Sequence, residues 1–334
     1  MSEQREKRSF EYINYMFRPK KQIERKIITE ILQELKEEIN LSKYLYIGFG
    51  SIYYYDFILF HKILNMNNLL SIDDKSTKKR FEFNRPYDFI SFENKISTDF
   101  LNEYDWKQNS VLWLDYDNKL ENIVLSDIKI IAKNCKKKDF LMITVNSYCG
   151  SVGDERDKAR ENFYNEFGMY ISSDYYNKKY YTPKYFPYLL QEVILKYLMA
   201  VSELQNISFC KLFSFRYRDG APMFTIGGIF DDDKKLYNRK WDNKFISTDE
   251  EVKDINVPIL TYCEKFHIDS HIEKLKRKIK KIESKNKESG RSLIEKEMTE
   301  MMNKTLPFEL ASIYDLKNYI EFYRYYPQYY EGII

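Results

Sequence analysis

The sequence is poor in glycine and proline, with 10 and 8 residues among 334, and it contains only four cysteines. Scarce glycine and proline, together with 43% hydrophobic residues, exclude a disordered or collagen-like chain and favour a well-packed globular protein. No two cysteines have the CxxC spacing. The sequence therefore predicts no disulfide framework, and a reducing compartment is the simplest interpretation.

Strong net charge and long apolar runs are also missing. The chain has 54 Lys and Arg against 51 Asp and Glu, a net charge of +3, which excludes a strong overall field that would attract nucleic acid. No run reaches the ~18 apolar residues that a membrane span needs. The start, MSEQREKRSFEY, lacks the apolar core of a signal peptide. We therefore expect a cytoplasmic protein without membrane association.

Short apolar runs alternate with helical segments through the first half of the chain. Such near-continuous apolar strands between helices indicate an α/β fold with a mainly parallel sheet that is covered on both faces. Residues 207–230 contain two further strands joined at Asp219-Gly220, which is typical of an antiparallel hairpin. The five runs are YLYIGF (44–49), NLLSID (68–73), YDFISF (87–92), SVLWLDY (110–116) and DFLMITVN (139–146).

Both ends of the chain have helical periodicity. The run FRPKKQIERKIITEILQEL predicts an amphipathic helix that starts at Pro19. Apolar residues at steps of three and four in residues 264–302 predict a helical hairpin, whose basic run 274–287 is either a solvated face or a surface for nucleic acid or protein. We expect three regions: an N-terminal helical segment packing on the core (1–40), the α/β domain (41–260), and a helical hairpin with an aromatic C-terminal segment (261–334).

The first strand runs into a turn with two glycines, Gly48-Phe49-Gly50-Ser51, followed by a helix. This arrangement places backbone N–H groups and a helix N-terminus at the carboxyl end of the sheet, where open α/β folds bind ligands. Glycine also permits a tight strand-to-helix turn without any ligand. A ligand cradle and a structural turn are both open interpretations.

Acidic residues follow two other strands. Asp73 and Asp74 come after the second strand, at a spacing from the glycines that suits a carboxylate accepting both hydroxyls of a ribose. Asp115 and Asp117 end the fourth strand, where a carboxylate can serve as a general base, a divalent-metal ligand or a substrate anchor. Alternatively, Asp73 and Asp74 only open a solvated loop, and Asp115 and Asp117 only form an acidic turn after a buried strand.

Cationic and amide side chains supply candidate contacts for a substrate or phosphate. Arg18, Lys20 and Arg25 lie near the start of the first helix, where they suit phosphates or a carboxylate but are also ordinary exposed cations. Asn84 and Arg85 precede a proline and either reach the same cleft or form a turn.

Cys263, His267 and His271 recur every four residues and share one face of a helix. That spacing suits a metal ion, but no fourth ligand is evident. We therefore expect an incidental set and no metal site.

Taken together, these motifs resemble the class I S-adenosylmethionine-dependent methyltransferases over roughly residues 40–230. The likeness rests on the glycine turn, the acids after strands two and four, and the closing hairpin. More closely, the chain is similar to a set of bacterial O-methyltransferase-like proteins, through FRPKKQIERK, YIGFGS, DFILFHK, RFEFNRPYD, LDYD and FYRYYP.

The resemblance implies a Rossmann-like fold with S-adenosylmethionine at Gly48–Ser51 and its ribose on Asp73 or Asp74. It implies methyl transfer to oxygen or nitrogen, with Asp115 first and Asp117 second as the base or anchor. An alternative is a catalytically silent binding protein, whose segment 264–302 engages protein or RNA, in a bacterial anti-phage system. The acid that class I enzymes carry before the glycines is replaced here by Tyr44, Tyr46 and Ile47.

Overall fold

A computed structural model describes residues 17–73, 78–202, 207–231, 236, 239–285 and 291–328. The chain divides into two compact units, the first comprising Met1–Arg18 with Glu24–Asp254 and the second Pro19–Ile23 with Ile255–Ile334. Asp74, a predicted ribose ligand, lies outside the described residues. Among the described residues, no helix is both long and apolar enough to cross a membrane.

Eight described strands form one sheet in the order β3-β2-β1-β4-β5-β7-β6-β8. Strands β1 to β5 pair in parallel, whereas β7 is antiparallel to both β5 and β6. This arrangement confirms the predicted α/β fold with a mainly parallel sheet and a closing hairpin. The strands are β1 Leu45–Gly48, β2 Asn68–Ile72, β3 Ile90–Glu93, β4 Ser110–Lys119, β5 Phe140–Asn146, β6 Ser208–Arg218, β7 Pro222–Asp231 and β8 Lys253–Ile255.

Eleven α-helices lie in the described part of the chain. The first begins at Pro19, as predicted, because proline suits the first turn of a helix, whose N–H groups have no intrahelical partner. The helices are α1 Pro19–Glu34, α2 Tyr55–Leu64, α3 Lys78–Asn84, α4 Ser97–Glu103, α5 Asn122–Asn134, α6 Asp154–Phe167, α7 Phe186–Ser202, α8 Tyr262–Ser270, α9 Ile272–Lys285, α10 Arg291–Thr305 and α11 Ile313–Phe322.

One face of the sheet carries an aliphatic core. Alternate strand residues point to this face, among them Ile47, Leu112 and Ile143, and they join one buried cluster with Val124 of α5 and Val193 of α7. Helix α5 packs against both α4 and α7. These helices therefore form one covering layer of the sheet.

The opposite face carries an aromatic core. Tyr46 of β1 lies edge-on to Phe57 and Phe60 of α2, with ring centroids 4.8 Å apart in both pairs. Phe60 in turn stacks on Trp113 of β4. The indole Nε1 of Trp113 donates to Thr144 Oγ1 at 3.0 Å, so the polar edge of the buried ring is satisfied. The helix that follows the glycine turn is thus fixed to the sheet by aromatic packing.

The second unit contains helices α8 to α11. The predicted helical hairpin is interrupted after Ser270, and α9 and α10 form its two long arms. Leu275 and Ile279 on α9 are buried, which fits the predicted apolar stripe. The rings of His267 and His271 stack, and no group of three or more potential metal ligands occurs among the described residues.

Candidate functional site

The glycine turn lies where the sequence places it, between β1 and α2. Gly48 is the last residue of β1, and α2 starts at Tyr55. Neither glycine has a positive φ; the left-handed residues of the turn are Ser51, with φ 36°, and Tyr54, with φ 48°. Left-handed backbone at two non-glycine residues makes this a strained turn.

Packing, rather than backbone conformation, explains the two glycines. A Cβ on Gly48 would lie 2.5 Å from Tyr46 Oη, and a Cβ on Gly50 would lie 2.5 Å from Ser71 Oγ. Both distances are far below van der Waals contact. The space that glycine leaves is therefore filled by side chains from β1 and β2.

Phe49 and Tyr116 pack beside the glycine turn, on the face of the sheet that carries the aliphatic core. Their rings lie edge to face, with centroids 5.1 Å apart. The Tyr116 hydroxyl donates to Asp127 Oδ2 at 2.6 Å, and Asp127 also accepts from Ser97 and Thr98. Phe49 is thus held by an anchored ring.

Asp73 follows β2 directly. Its backbone N–H donates to the Glu93 carbonyl at 3.1 Å, which extends the pairing of β2 and β3 by one bond. The side chain is half-buried. Asp73 therefore lies at the carboxyl edge of the sheet, as the ribose prediction requires.

Asp115 lies inside β4, which extends beyond the predicted end of this strand. The last β1 residue, Gly48, pairs with Trp113, so Asp115 stands two residues beyond that pair at the carboxyl edge. Asp115 is half-buried, whereas Asp117 is exposed. The two predicted catalytic carboxylates therefore differ in their exposure to solvent.

Asp115 belongs to a polar cluster that sequence reasoning only partly found. We use the name buried polar cluster for six residues whose ionisable side chains are linked by electrostatic effects on pKa. Five of the six are at most 6% exposed, and Asp115 is half-buried. The members are Glu24 and Arg25 of α1, Tyr46 of β1, Asp56 of α2, Asp115 of β4 and Tyr217 of β6.

Burial dominates the protonation of this cluster. It raises the pKa of Asp56, an effect that Arg25 and the hydrogen bond from the Tyr46 hydroxyl oppose. Burial also raises the pKa of Tyr46 well above its usual range, and the nearby carboxylates of Asp56 and Asp115 add to this. The pKa of Tyr217 is raised for the same first reason, with Glu24 and Asp115 adding to it. Both phenols therefore stay protonated and can donate hydrogen bonds.

The cationic candidates of α1 have different surroundings. Arg25 is buried, and its guanidinium carbon lies 5.6 Å from the centre of the Tyr55 ring. Lys20 belongs to the second unit, where its Nζ donates to Asn256 Oδ1 at 3.1 Å. Arg18 is the N-cap residue of α1. Among these three, only Arg25 is a member of the buried polar cluster.

Asn84 and Arg85 make local hydrogen bonds. Asn84 Nδ2 donates to the Arg80 carbonyl at 2.7 Å, one turn back in α3. Arg85 Nη1 donates to the Ile90 carbonyl at 2.9 Å and closes the turn before β3. These bonds give both residues a structural role, and contact with a ligand stays a prediction.

Glu24, Tyr46, Asp56 and Tyr217 are the members that the sequence did not predict as site residues. Asp56 could have been predicted from the sequence, because it is an acid in the first turn of the helix that follows the glycines. Its bond with Tyr46 places a carboxylate beside the position where class I enzymes carry an acid before the glycines. Tyr217 had no signal, since one tyrosine among 30 is not distinctive.

Solved structures with a similar fold include several methyltransferases. The plantazolicin methyltransferase BamL, solved with a triazolic substrate analog and SAH, has 12% identity and a TM-score of 0.40, with 67% of this chain and 88% of that chain covered. M. jannaschii TYW2, solved with AdoMet, has 11% identity and a TM-score of 0.34, with 61% and 76% covered. At 11–12% identity and TM-scores below 0.5, this likeness identifies no family.

Curated proteins give no match to this chain. The model of one protein family, described as "Putative O-methyltransferase", matches residues 13–334. This match includes the glycine turn, the buried polar cluster and the eleven helices of the described residues. The chain therefore belongs to this O-methyltransferase family.

Proposed function

We propose that the first unit binds S-adenosylmethionine and transfers its methyl group to an oxygen or nitrogen atom of an acceptor. Membership of the O-methyltransferase family supports this proposal. The observation that carries it is the position of Asp115, which lies at the carboxyl edge of the sheet within the buried polar cluster and next to the glycine turn. Ligands of open α/β sheets bind at this edge.

The side chains at this edge fit the chemistry of the cofactor. Asp73 offers a carboxylate for the two ribose hydroxyls. The methionine end of the cofactor carries one positive and one negative charge. The buried polar cluster offers both complements, since it contains the Arg25 guanidinium and the Asp56 carboxylate.

When bound, S-adenosylmethionine supplies an electrophilic methyl group on its sulfonium. Asp115 accepts the proton of the acceptor group, because it is the half-buried carboxylate of the cluster and thus open to an incoming molecule. Tyr46 and Tyr217 are buried and protonated neighbours of Asp115 that limit the entry of water, and the Tyr46 hydroxyl donates to Asp56. The main contribution of the chain is to hold both reactants in position.

The test is transfer of a labelled methyl group to the small-molecule, protein and RNA fractions of a bacterial extract. Asp115→Asn should lower transfer by about 100-fold or more, as expected for loss of a general base. Its affinity for S-adenosylhomocysteine should change by less than about threefold. Asp117→Asn is the matched control and should retain transfer, because Asp117 is exposed. Equal loss in both variants would refute the role of Asp115.

A catalytically silent binding protein is the second candidate. The packing of Tyr46 and Ser71 against the two glycines favours it, because this packing explains both glycines without a ligand. Tight binding of the cofactor without methyl transfer to any fraction would support this candidate. A role in anti-phage defence fits either candidate, and phage challenge of cells with and without the protein tests it.

We also propose a macromolecular partner for the second unit. Exposed cations cluster on α9, and they include Lys274, Lys280 and Lys281. A concentrated basic helix attracts the phosphates of RNA, and such binding weakens steeply with salt. Lys280→Glu with Lys281→Glu should reduce RNA retention in a mobility-shift assay at low salt. Unchanged retention would favour an acidic protein partner or a purely solvated face.

A further inference from the structure

A cavity of about 630 Å³ lies between α7, the start of β6 and the segment before β8. Two of its lining residues are polar and yet only 4% exposed, Gln191 of α7 and Lys211 of β6. Met199 and Asp249, which also line it, are exposed, so a small molecule can enter from solvent. A cavity of this size is typical of a small-molecule site. Its apolar lining residues are Leu195, Met199, Ala200, Ile207 and Phe209.

The cavity is separate from the proposed methyl-transfer site. Lys211 pairs with Gly228 of β7, and Gly228 pairs with Leu141 near the start of β5. Asp115 of β4 pairs with Thr144 near the end of β5. Strands β5 and β6 run in the same direction, since both are antiparallel to β7. The cavity therefore lies toward the amino edge of the sheet, whereas the glycine turn lies at the carboxyl edge.

The side-chain amide of Gln191 is half satisfied. Its Nε2 donates to the Glu250 carbonyl at 3.0 Å, which fixes the orientation of the amide. Its buried Oε1 has no hydrogen-bond donor among the described residues. A buried acceptor without a donor is unfavourable. The cavity thus lacks one hydrogen-bond donor.

Lys211 lacks an acceptor, although it does not lack counter-charges. Its Nζ has no hydrogen-bond partner in the part of the chain that the structure describes. Burial lowers the pKa of this amine, and the carboxylates of Asp249, Glu251 and Glu250 oppose the shift. Asp249 Oδ1 is used within its own loop, where it accepts from the Glu251 backbone N–H at 2.8 Å. These carboxylates therefore balance the charge of the amine without accepting a hydrogen bond from it.

The missing partner is a neutral group that both accepts and donates. Asp249 and Glu250 line the cavity and would repel an anion, and the Lys211 amine would repel a cation. An amide has no charge and supplies a carbonyl oxygen for the amine and an N–H for Gln191 Oε1. Lys211 carries its amine on a flexible stem, so the amine can turn toward such a group. The apolar wall suits a hydrocarbon or aromatic body attached to the amide.

We propose that this cavity binds a neutral carboxamide or cyclic amide with an apolar body, through the Lys211 amine and the Gln191 carbonyl oxygen. The site goes beyond the proposed methyl transfer and does not depend on it. Simple carboxamides share this chemistry with nucleobases that contain a cyclic amide, such as hypoxanthine. The ligands below separate the two sources.

The experiment is an NMR titration of the full chain with benzamide, hypoxanthine and benzoate. Benzamide and benzoate have the same ring, but benzoate is an anion and has no N–H donor. At least one of the two amides should bind about tenfold or more tightly than benzoate. Tighter binding of benzamide assigns the site to carboxamides, and tighter binding of hypoxanthine assigns it to nucleobases.

Lys211→Met removes the amine and keeps an unbranched side chain. It should weaken the tighter amide by about 3- to 10-fold, the range for one net hydrogen bond. Gln191→Leu removes the acceptor and should weaken it by a similar factor, which also provides the test if Lys211→Met does not fold. Lys129→Met, which changes an exposed lysine of α5, is the matched control and should keep the affinity.

Three results would overturn the inference in distinguishable ways. Equal binding of benzoate and the amides would show that no neutral amide is selected. Unchanged affinity in both Lys211→Met and Gln191→Leu would place the bound amide elsewhere on the chain. If neither amide binds to the wild-type protein, the cavity holds only water.

Discussion

Lys211 gives a stability prediction that follows directly from its burial. This lysine of β6 is 4% exposed, and its Nζ has no hydrogen-bond partner in the described part of the chain. Burial lowers its pKa from 10.5 to about 8, although the carboxylates of Asp249, Glu251 and Glu250 oppose this shift. The folded protein therefore disfavours the charged amine.

The magnitude follows from the two pKa values. Between about pH 8 and pH 10.5 Lys211 is more fully protonated in the unfolded chain than in the folded protein. The free energy of unfolding therefore rises with pH in this window. Below the window the full penalty applies. The difference between the two pKa values corresponds to about 3 kcal/mol at pH 7 and, by pH 9.5, to about 1 kcal/mol.

Lys211→Met removes the amine and keeps an unbranched apolar side chain. We expect it to stabilise the protein by up to about 3 kcal/mol at pH 7 and by about 1 kcal/mol at pH 9.5. The assay is urea unfolding of both proteins at several pH values. Lys129→Met, which changes an exposed lysine of α5, is the control and should show less than about 0.5 kcal/mol at every pH. A pH-independent difference for Lys211→Met would refute the reasoning.

Three other substitutions test the packing around the site by urea unfolding. Gly50→Ala should cost about 1–3 kcal/mol, and adding Ser71→Ala should restore part of the loss, because the new Cβ meets the Ser71 hydroxyl; no restoration would contradict this. Asp127→Ala leaves three hydroxyl donors without their acceptor and should cost at least about 2 kcal/mol. Tyr46→Phe removes the donor to buried Asp56 and should cost about 1–3 kcal/mol; a loss below about 0.5 kcal/mol would mean that water replaces the phenol.

The strands of the sheet could be predicted because their apolar runs carry a local signal. Their ends were less predictable, since side chains from distant elements decide them. The third run was predicted from residue 87, but β3 begins at Ile90, where the Ile90 N–H donates to the Tyr87 carbonyl in a turn. The rings of Tyr87 and Phe89 instead pack against His61.

The candidate site was most predictable where its residues lie at the carboxyl edge of the sheet. Asp73 follows β2 and Asp115 lies in β4 beyond the last β1 pair, and parallel strands bring such residues to one edge. The electrostatic effect of Arg25 on the pKa of Asp56 could not be predicted from the sequence, because the two residues lie on different helices that tertiary packing brings near each other. The reason for Gly48 was also hidden, since it depends on the position of the Tyr46 hydroxyl.

The most direct test of the proposed function is calorimetric titration of the wild-type chain with S-adenosylmethionine and S-adenosylhomocysteine. We expect one bound ligand per chain for each compound. Asp73→Ala should weaken both by about 10-fold or more, because the ribose hydroxyls lose a charged acceptor. Absence of binding to either compound by a folded wild-type protein would contradict the account.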